Sequence, residues 1–237
     1  MTEIATQRVE LHVEGAGAMH AFVARPAQWS SGPAILVLQE AFGVNAHIRG
    51  VAERYAKLGL LAIAPELFHR TSDGFEAGYD DYNAVRPQMA ALSTEGLAAD
   101  MAAAHAWLLA AGAAGDRVAS VGYCMGGRAS YIANARLPLR AAISYYGGGI
   151  ADALLDEAKT QHGPILMYWG GKDQHILPEQ YRAVADALTA AGATHEQVVF
   201  GQADHGFNCD ARASYNESAS RQAWALSEEF LRVSGVL

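Results

Sequence analysis

A mostly parallel, doubly wound α/β sheet with an antiparallel hairpin in front of it is the fold class this sequence predicts, and three observations predict it. Short unbroken apolar runs recur along the chain, they alternate with segments of helical periodicity, and the N-terminal residues instead alternate polar with apolar. Unbroken apolar runs mark strands covered on both faces, as in a parallel sheet, whereas alternation marks a strand with one wet face. Strands and helices in regular succession imply right-handed βαβ crossovers that place helices on both faces of the sheet.

The elements follow in order. Residues 7–26 alternate twice, through Val9, Leu11 and Val13 and then Met19, Ala21 and Val23, around the turn-rich stretch E-G-A-G, which predicts the hairpin. A-I-L-V-L-Q (34–39) and L-L-A-I-A-P (60–65) read as buried strands. Between them a helix is expected, with Asn45 as its N-cap, Ile48, Val51, Tyr55 and Leu58 on one face and Gly59 as its stop. Further strands are predicted at 117–121, 141–146, 164–169 and 196–200, and helices at about 93–111, 125–136, 178–191 and 212–233. Residues 68–92 show no periodicity and carry aromatic residues and arginines; a loop this long is expected to be a lid or substrate wall.

Composition bounds the function. A chain of 237 residues, 51% hydrophobic, can bury one full core, so residues 1–237 are expected to form a single domain. With 17 basic against 25 acidic residues, a formal charge of -8 and no Lys/Arg cluster, nucleic acid is not an expected partner. No signal peptide and no apolar run near the roughly 20 residues that span a bilayer is present, so a cytoplasmic protein without a membrane partner is expected, a monomer or small homo-oligomer. Cys124 and Cys209 are too few and too far apart for a disulfide framework or a C-x-x-C pair, and each is expected to be a free thiol. No His, Cys, Asp or Glu residues pair at ligand spacing, so no metal is expected. E-G-A-G-A-M-H lacks the third glycine of a dinucleotide loop and sits in the hairpin.

The chemistry is expected at G-Y-C-M-G-G-R, residues 122–128, directly behind the strand R-V-A-S-V. G-x-C-x-G is the cysteine form of the G-x-S-x-G elbow, whose sharp strand-to-helix turn admits only small neighbours and lifts the nucleophile into the open. It also sets Cys124 at a helix N-terminus, where unpaired N–H groups favour thiolate. The bland alternative is a buried structural cysteine. A nucleophile needs a base and a group that orients it, in later loops on the same sheet edge. Asp173 in G-G-K-D-Q-H and His205 in G-Q-A-D-H-G-F supply that order, with His175 and Asp204 as weaker rivals. His105 shares a face with Leu97, Met101 and Leu108 and is expected in the core. For an oxyanion, the N–H of Met125 and that of Ala41, in the loop Q-E-A-F-G-V-N, are the expected donors. Glu40 beside them is either an electrostatic partner of the site or a solvated loop acid. Phe42, Tyr145 and Tyr146 are either pocket walls or packing.

L-Q-E-A-F-G-V-N, G-Y-C-M-G-G-R, G-G-K-D and D-H-G-F-N together resemble the dienelactone hydrolase (carboxymethylenebutenolidase) family of the α/β-hydrolase fold, over about residues 8–232. The resemblance implies an esterase or lactonase with a Cys124–His205–Asp173 triad, a thioester intermediate and no cofactor. It also implies that Glu40 contacts the resting thiol and helps ionise it when substrate arrives. In that family arginines bind the substrate carboxylate, one of them four residues after the catalytic histidine. Here that position is Cys209, which leaves Arg70, Arg86 or Arg212 as substitutes and opens the pocket to neutral esters, lactones or phosphotriesters. Two other readings are a non-catalytic α/β-hydrolase scaffold and a redox sensor in which Cys209 resolves an oxidised Cys124.

Overall fold

The computed structural model describes residues 2–237. Strands β1 (Ile4–Val13) and β2 (Gly17–Pro26) pair antiparallel from Ile4↔Pro26 to Val13↔Gly17, and the alternation seen in the sequence buries Leu11, Val13, Met19, Ala21 and Val23. The hairpin is joined antiparallel through β2 to β4 (Leu61–Pro65). From β4 onward the neighbours run parallel: β3 (Gly32–Leu38), β5 (Ala113–Tyr123), β6 (Ala141–Tyr145), β7 (Ile165–Gly170) and β8 (His195–Phe200). The eight-stranded order is β1-β2-β4-β3-β5-β6-β7-β8. Every residue of β4, β6 and β7 is buried, which is why these strands read as unbroken apolar runs. Strand β5 starts four residues before the expected 117, because its first part, A-A-G-D, is partly exposed and pairs with Gly32 across a register shift.

Helices α1 (Ala46–Lys57), α3 (Thr94–Ala110), α4 (Met125–Arg136) and α6 (Pro178–Ala190) lie where periodicity predicts them. Asn45 caps α1 through Oδ1, which accepts from the Ile48 N–H at 3.2 Å. Two expectations are corrected. The segment 68–92 is not without regular structure, since it contains α2 (Tyr82–Ala90), capped by Asp81. That helix buries only Val85 and carries Pro87 inside it, so neither an apolar stripe nor an uninterrupted helical composition announces it. The last helix, α7 (Glu217–Val233), starts five residues later than expected, because Asn216 caps it and accepts from the Ala219 N–H at 3.1 Å. Residues 212–216 are therefore free of helical geometry. A short helix α5 (Ile150–Ala153) and a 3-10 turn (Leu155–Thr160) were not expected; both are too short to show a period.

The chain leaves β3 toward β4 on one side and later returns to β5 on the other, so the crevice between the carboxyl ends of β3 and β5 is the switch point of the sheet. Glu40 follows β3 and Cys124 follows β5. Among the described residues, no helix is long and apolar enough to cross a membrane.

Candidate active site

Cys124 occupies the single residue between β5 and α4, with φ 55° and ψ -116°. A side chain in this region costs of order 1–3 kcal/mol and persists only when the surroundings hold it. Its N–H donates to the Tyr145 carbonyl at 3.0 Å, and its carbonyl accepts from Gly127 and Arg128 at 2.9 and 3.2 Å. The flanking glycines are demanded by space. A Cβ on Gly122 would stand 1.8 Å from the Gly126 carbonyl oxygen, and one on Gly126 would stand 2.2 Å from that of Leu38. Gly126→Ala is therefore expected to destabilise the fold by at least ~3 kcal/mol, since backbone and not a flexible side chain must yield; a melting or urea midpoint close to that of the parent would contradict it.

The half-buried Cys124 side chain opens into a cleft of about 360 Å³ lined by Ala41, Phe42, Met125, Arg128, His205 and Arg212, among others. His205 Nδ1 lies 2.7 Å from Asp173 Oδ2. The other oxygen of Asp173 accepts from the backbone N–H groups of His175 and Ile176 at 2.7 and 3.1 Å, which fixes the carboxylate. Burial pushes the Asp173 carboxyl up, but the bond from His205 and these two N–H groups outweigh it and hold it below the usual carboxylate value. Burial likewise opposes protonation of His205. Charge on the Cys124 sulfur and the bond to Asp173 prevail, and the imidazole is raised from 6.5 to about 10. The arrangement can hold an imidazolium beside a thiolate.

Glu40 is fully buried, and its Oε1 accepts from Arg212 Nη1 at 3.1 Å. Arg212 comes from the irregular residues ahead of α7 and passes over the Phe42 ring, 5.6 Å from its centroid. Burial lowers the Arg212 pKa, but the charges of Glu40 and Cys124 more than offset this and leave it raised. Cys209 is fully buried; burial, then the nearby Glu40 charge, pushes its thiol up to about 11.

The remaining candidates divide by position. Ala41 and Met125 both line one cleft, and their N–H groups donate to no protein acceptor among the described residues. Phe42 is a wall of that cleft. Tyr145 is not; it lies in the core, with its hydroxyl 2.9 Å from Ser227 Oγ. Tyr146 is also buried, with its ring centroid 5.1 Å from that of His205, which makes it backing for the imidazole. Arg86 is exposed on α2 and does not line the cleft; the α2 residues on its wall are Tyr82 and Met89. Arg70 is held by Asp100 at 2.6 Å. Cys209 sits beneath the cleft rather than on its wall. Of the rivals, His175 is an exposed rim residue and Asp204 accepts from the His205 N–H at 2.6 Å. His105 is buried on α3, as expected. Sequence reasoning gave no role to Arg128, which lines the cleft with its Nε buried and unpartnered among the described residues; the only signal was its place at the end of the G-Y-C-M-G-G-R motif.

The family model of the dienelactone hydrolase family matches residues 19–234. A Synechocystis protein provisionally named carboxymethylenebutenolidase is 33% identical over 213 residues, covering 86% of this chain and 87% of its own. A Klebsiella pneumoniae crystal structure provisionally identified as a dienelactone hydrolase superposes with a TM-score of 0.86 at 32% identity, over 96% of this chain and 99% of that one. A dienelactone hydrolase-like promiscuous phosphotriesterase from metagenomic libraries shares the fold, with a TM-score of 0.85 at 22% identity over 97% and 98% of the two chains.

Proposed function

The chain belongs to the dienelactone hydrolase family and is an ester and lactone hydrolase, and we propose that it works by covalent catalysis from Cys124, with His205 as its base and Asp173 as the group that orients the base. The observation that carries this reading is the position of His205, bonded to Asp173 at 2.7 Å and raised to about 10 partly by the Cys124 charge. The Cys124 thiolate attacks the carbonyl carbon, and the oxyanion is held by the N–H groups of Met125 and Ala41. As the tetrahedral species collapses, the C–O bond of the ester or lactone breaks and His205 gives its proton to the leaving oxygen. Water then attacks the thioester, His205 takes its proton, and the acid leaves with the thiol regenerated. Asp173, bonded to Nδ1, keeps the other ring nitrogen toward the sulfur.

Arg128 and Arg212 give the cleft a cationic wall, which supports lactones or esters that carry a carboxylate. Arg212, three residues beyond Cys209, would then do what an arginine at that position does in the family. A substrate carboxylate that engages Arg212 competes with Glu40 for it, and the released Glu40 can promote thiolate formation. Arg212→Gln is expected to raise KM for a carboxylate-bearing lactone about 10–100-fold more than KM for a neutral aryl ester, the worth of one charge-assisted hydrogen bond. Equal effects on the two would remove the carboxylate from the account. The reaction class is tested by a panel of lactones, aryl esters and phosphotriesters, assayed before and after alkylation of Cys124. Hydrolysis of carboxylic substrates that stops on alkylation is expected, and hydrolysis that survives it would refute the nucleophile. Loss of phosphotriester hydrolysis on the same treatment would place that activity at the same sulfur.

A further inference from the structure

Behind the cleft, three side chains that the sequence keeps apart meet in space. Glu40 follows β3, His47 stands in the first turn of α1 and Cys209 precedes α7; one donor atom of each lies within 4.8 Å of the other two. Glu40 and Cys209 are fully buried, and the His47 side chain is 9% exposed. Two of the three groups carry an orphaned atom, since Glu40 Oε2 and His47 Nε2 are buried without a hydrogen-bond partner among the described residues. An unsatisfied buried polar atom costs roughly 1–3 kcal/mol. A cation between carboxylate and imidazole would satisfy both.

We propose that Glu40, His47 and Cys209 form a binding site for a zinc-class divalent cation. The mixed oxygen, nitrogen and sulfur donors suit Zn²⁺ or Co²⁺ and not the hard ions Mg²⁺ and Ca²⁺. Donors around a tetrahedral zinc stand about 3.5 Å apart, so the three would draw together by about an ångström. Three protein ligands leave the fourth position to water. His47 already has the outer partner that ligating histidines use: its Nδ1 lies 3.4 Å from Asp210 Oδ1, which leaves the orphaned Nε2 for the ion. On binding, the Cys209 thiol gives its proton to solvent, and thiolate and carboxylate together match the charge of the dication. Arg212 stays on the other carboxylate oxygen, Oε1. A surface cleft of about 360 Å³ lined by His47, Asp210 and Asn208 offers a way in. The site stands whatever the role of Cys124.

Titration of the full-length Cys124→Ser chain with Co²⁺ tests the proposal without interference from the other thiol. One equivalent is expected to bind and to produce a thiolate-to-cobalt charge-transfer band that Zn²⁺ abolishes by displacement. Adding Cys209→Ser should remove the band. Asp210→Asn, an exposed change that leaves the core intact, should weaken binding about 10–100-fold. If the doubly substituted chain fails to fold, the rise in melting temperature of Cys124→Ser with added Zn²⁺, and its loss in His47→Gln, gives the same answer. Absence of saturable binding, a band that survives Cys209→Ser, or unchanged affinity in both His47→Gln and Asp210→Asn would overturn the site.

Discussion

Cys124→Ala is expected to lower kcat/KM for an aryl ester by about 10⁴-fold or more while the chain folds as before. The loss is large because no step of the proposed reaction survives without the sulfur: the oxyanion donors and the imidazole remain but have no covalent intermediate to stabilise. The fold should tolerate the change because the backbone of residue 124, and not its side chain, makes the three hydrogen bonds to Tyr145, Gly127 and Arg128. Cys124→Gly separates the two effects further. Glycine adopts a φ of 55° without the penalty a side chain incurs, so this variant is expected to be as inactive as Cys124→Ala yet about 1 kcal/mol more stable than it. Urea midpoints measured alongside turnover check both halves; an active Cys124→Ala enzyme would end the nucleophile assignment.

Asp173→Asn and His205→Gln are expected to cost about 10³–10⁴-fold in kcat, the first through loss of the oriented tautomer and the second through loss of the base. They also carry a pH signature. His205 is raised from 6.5 to about 10 in the folded chain, so the stability it contributes is fully present below 6.5 and is lost as pH rises through about 10. Asp173 is lowered, so its contribution is present above the ordinary carboxylate value and is lost as pH falls through the folded value beneath it. Folding stability of the parent should therefore decline between pH 6.5 and 10 more steeply than that of His205→Gln. Cys124→Ala should bring the imidazole pKa down, because it removes the first charge that opposes the burial penalty; an NMR titration of His205 unchanged in that variant would separate the ring from the sulfur.

The sheet was legible wherever both faces of a strand are covered. A-I-L-V-L and P-I-L-M-Y-W announce themselves because burial on both sides forces every position to be apolar, and the elbow announces itself because Gly122 and Gly126 touch backbone on the far side. Helix α2 was hidden by the same logic in reverse, since it covers the cleft with few residues and presents the rest to water. The Glu40–Arg212 pair spans 172 positions, and Arg212 was drawn into an expected helix that Asn216 in fact starts later. Tyr145 could not be separated from a pocket residue by its place at a strand end, because it is Ser227 on the last helix that draws its hydroxyl into the core. The cluster of Glu40, His47 and Cys209 has no ligand spacing in the sequence, since two loops and the first turn of α1 bring it together.

The central claim is that the acyl group of a substrate passes through a thioester on Cys124, and intact-protein mass spectrometry of a rapidly quenched reaction tests it most directly. With a slowly deacylating aryl ester and the Asp173→Asn chain, one acyl adduct is expected per chain, mapped by peptide fragmentation to Cys124 and absent after prior alkylation. An adduct on any other side chain, or steady turnover by a chain whose Cys124 is fully alkylated, would contradict it.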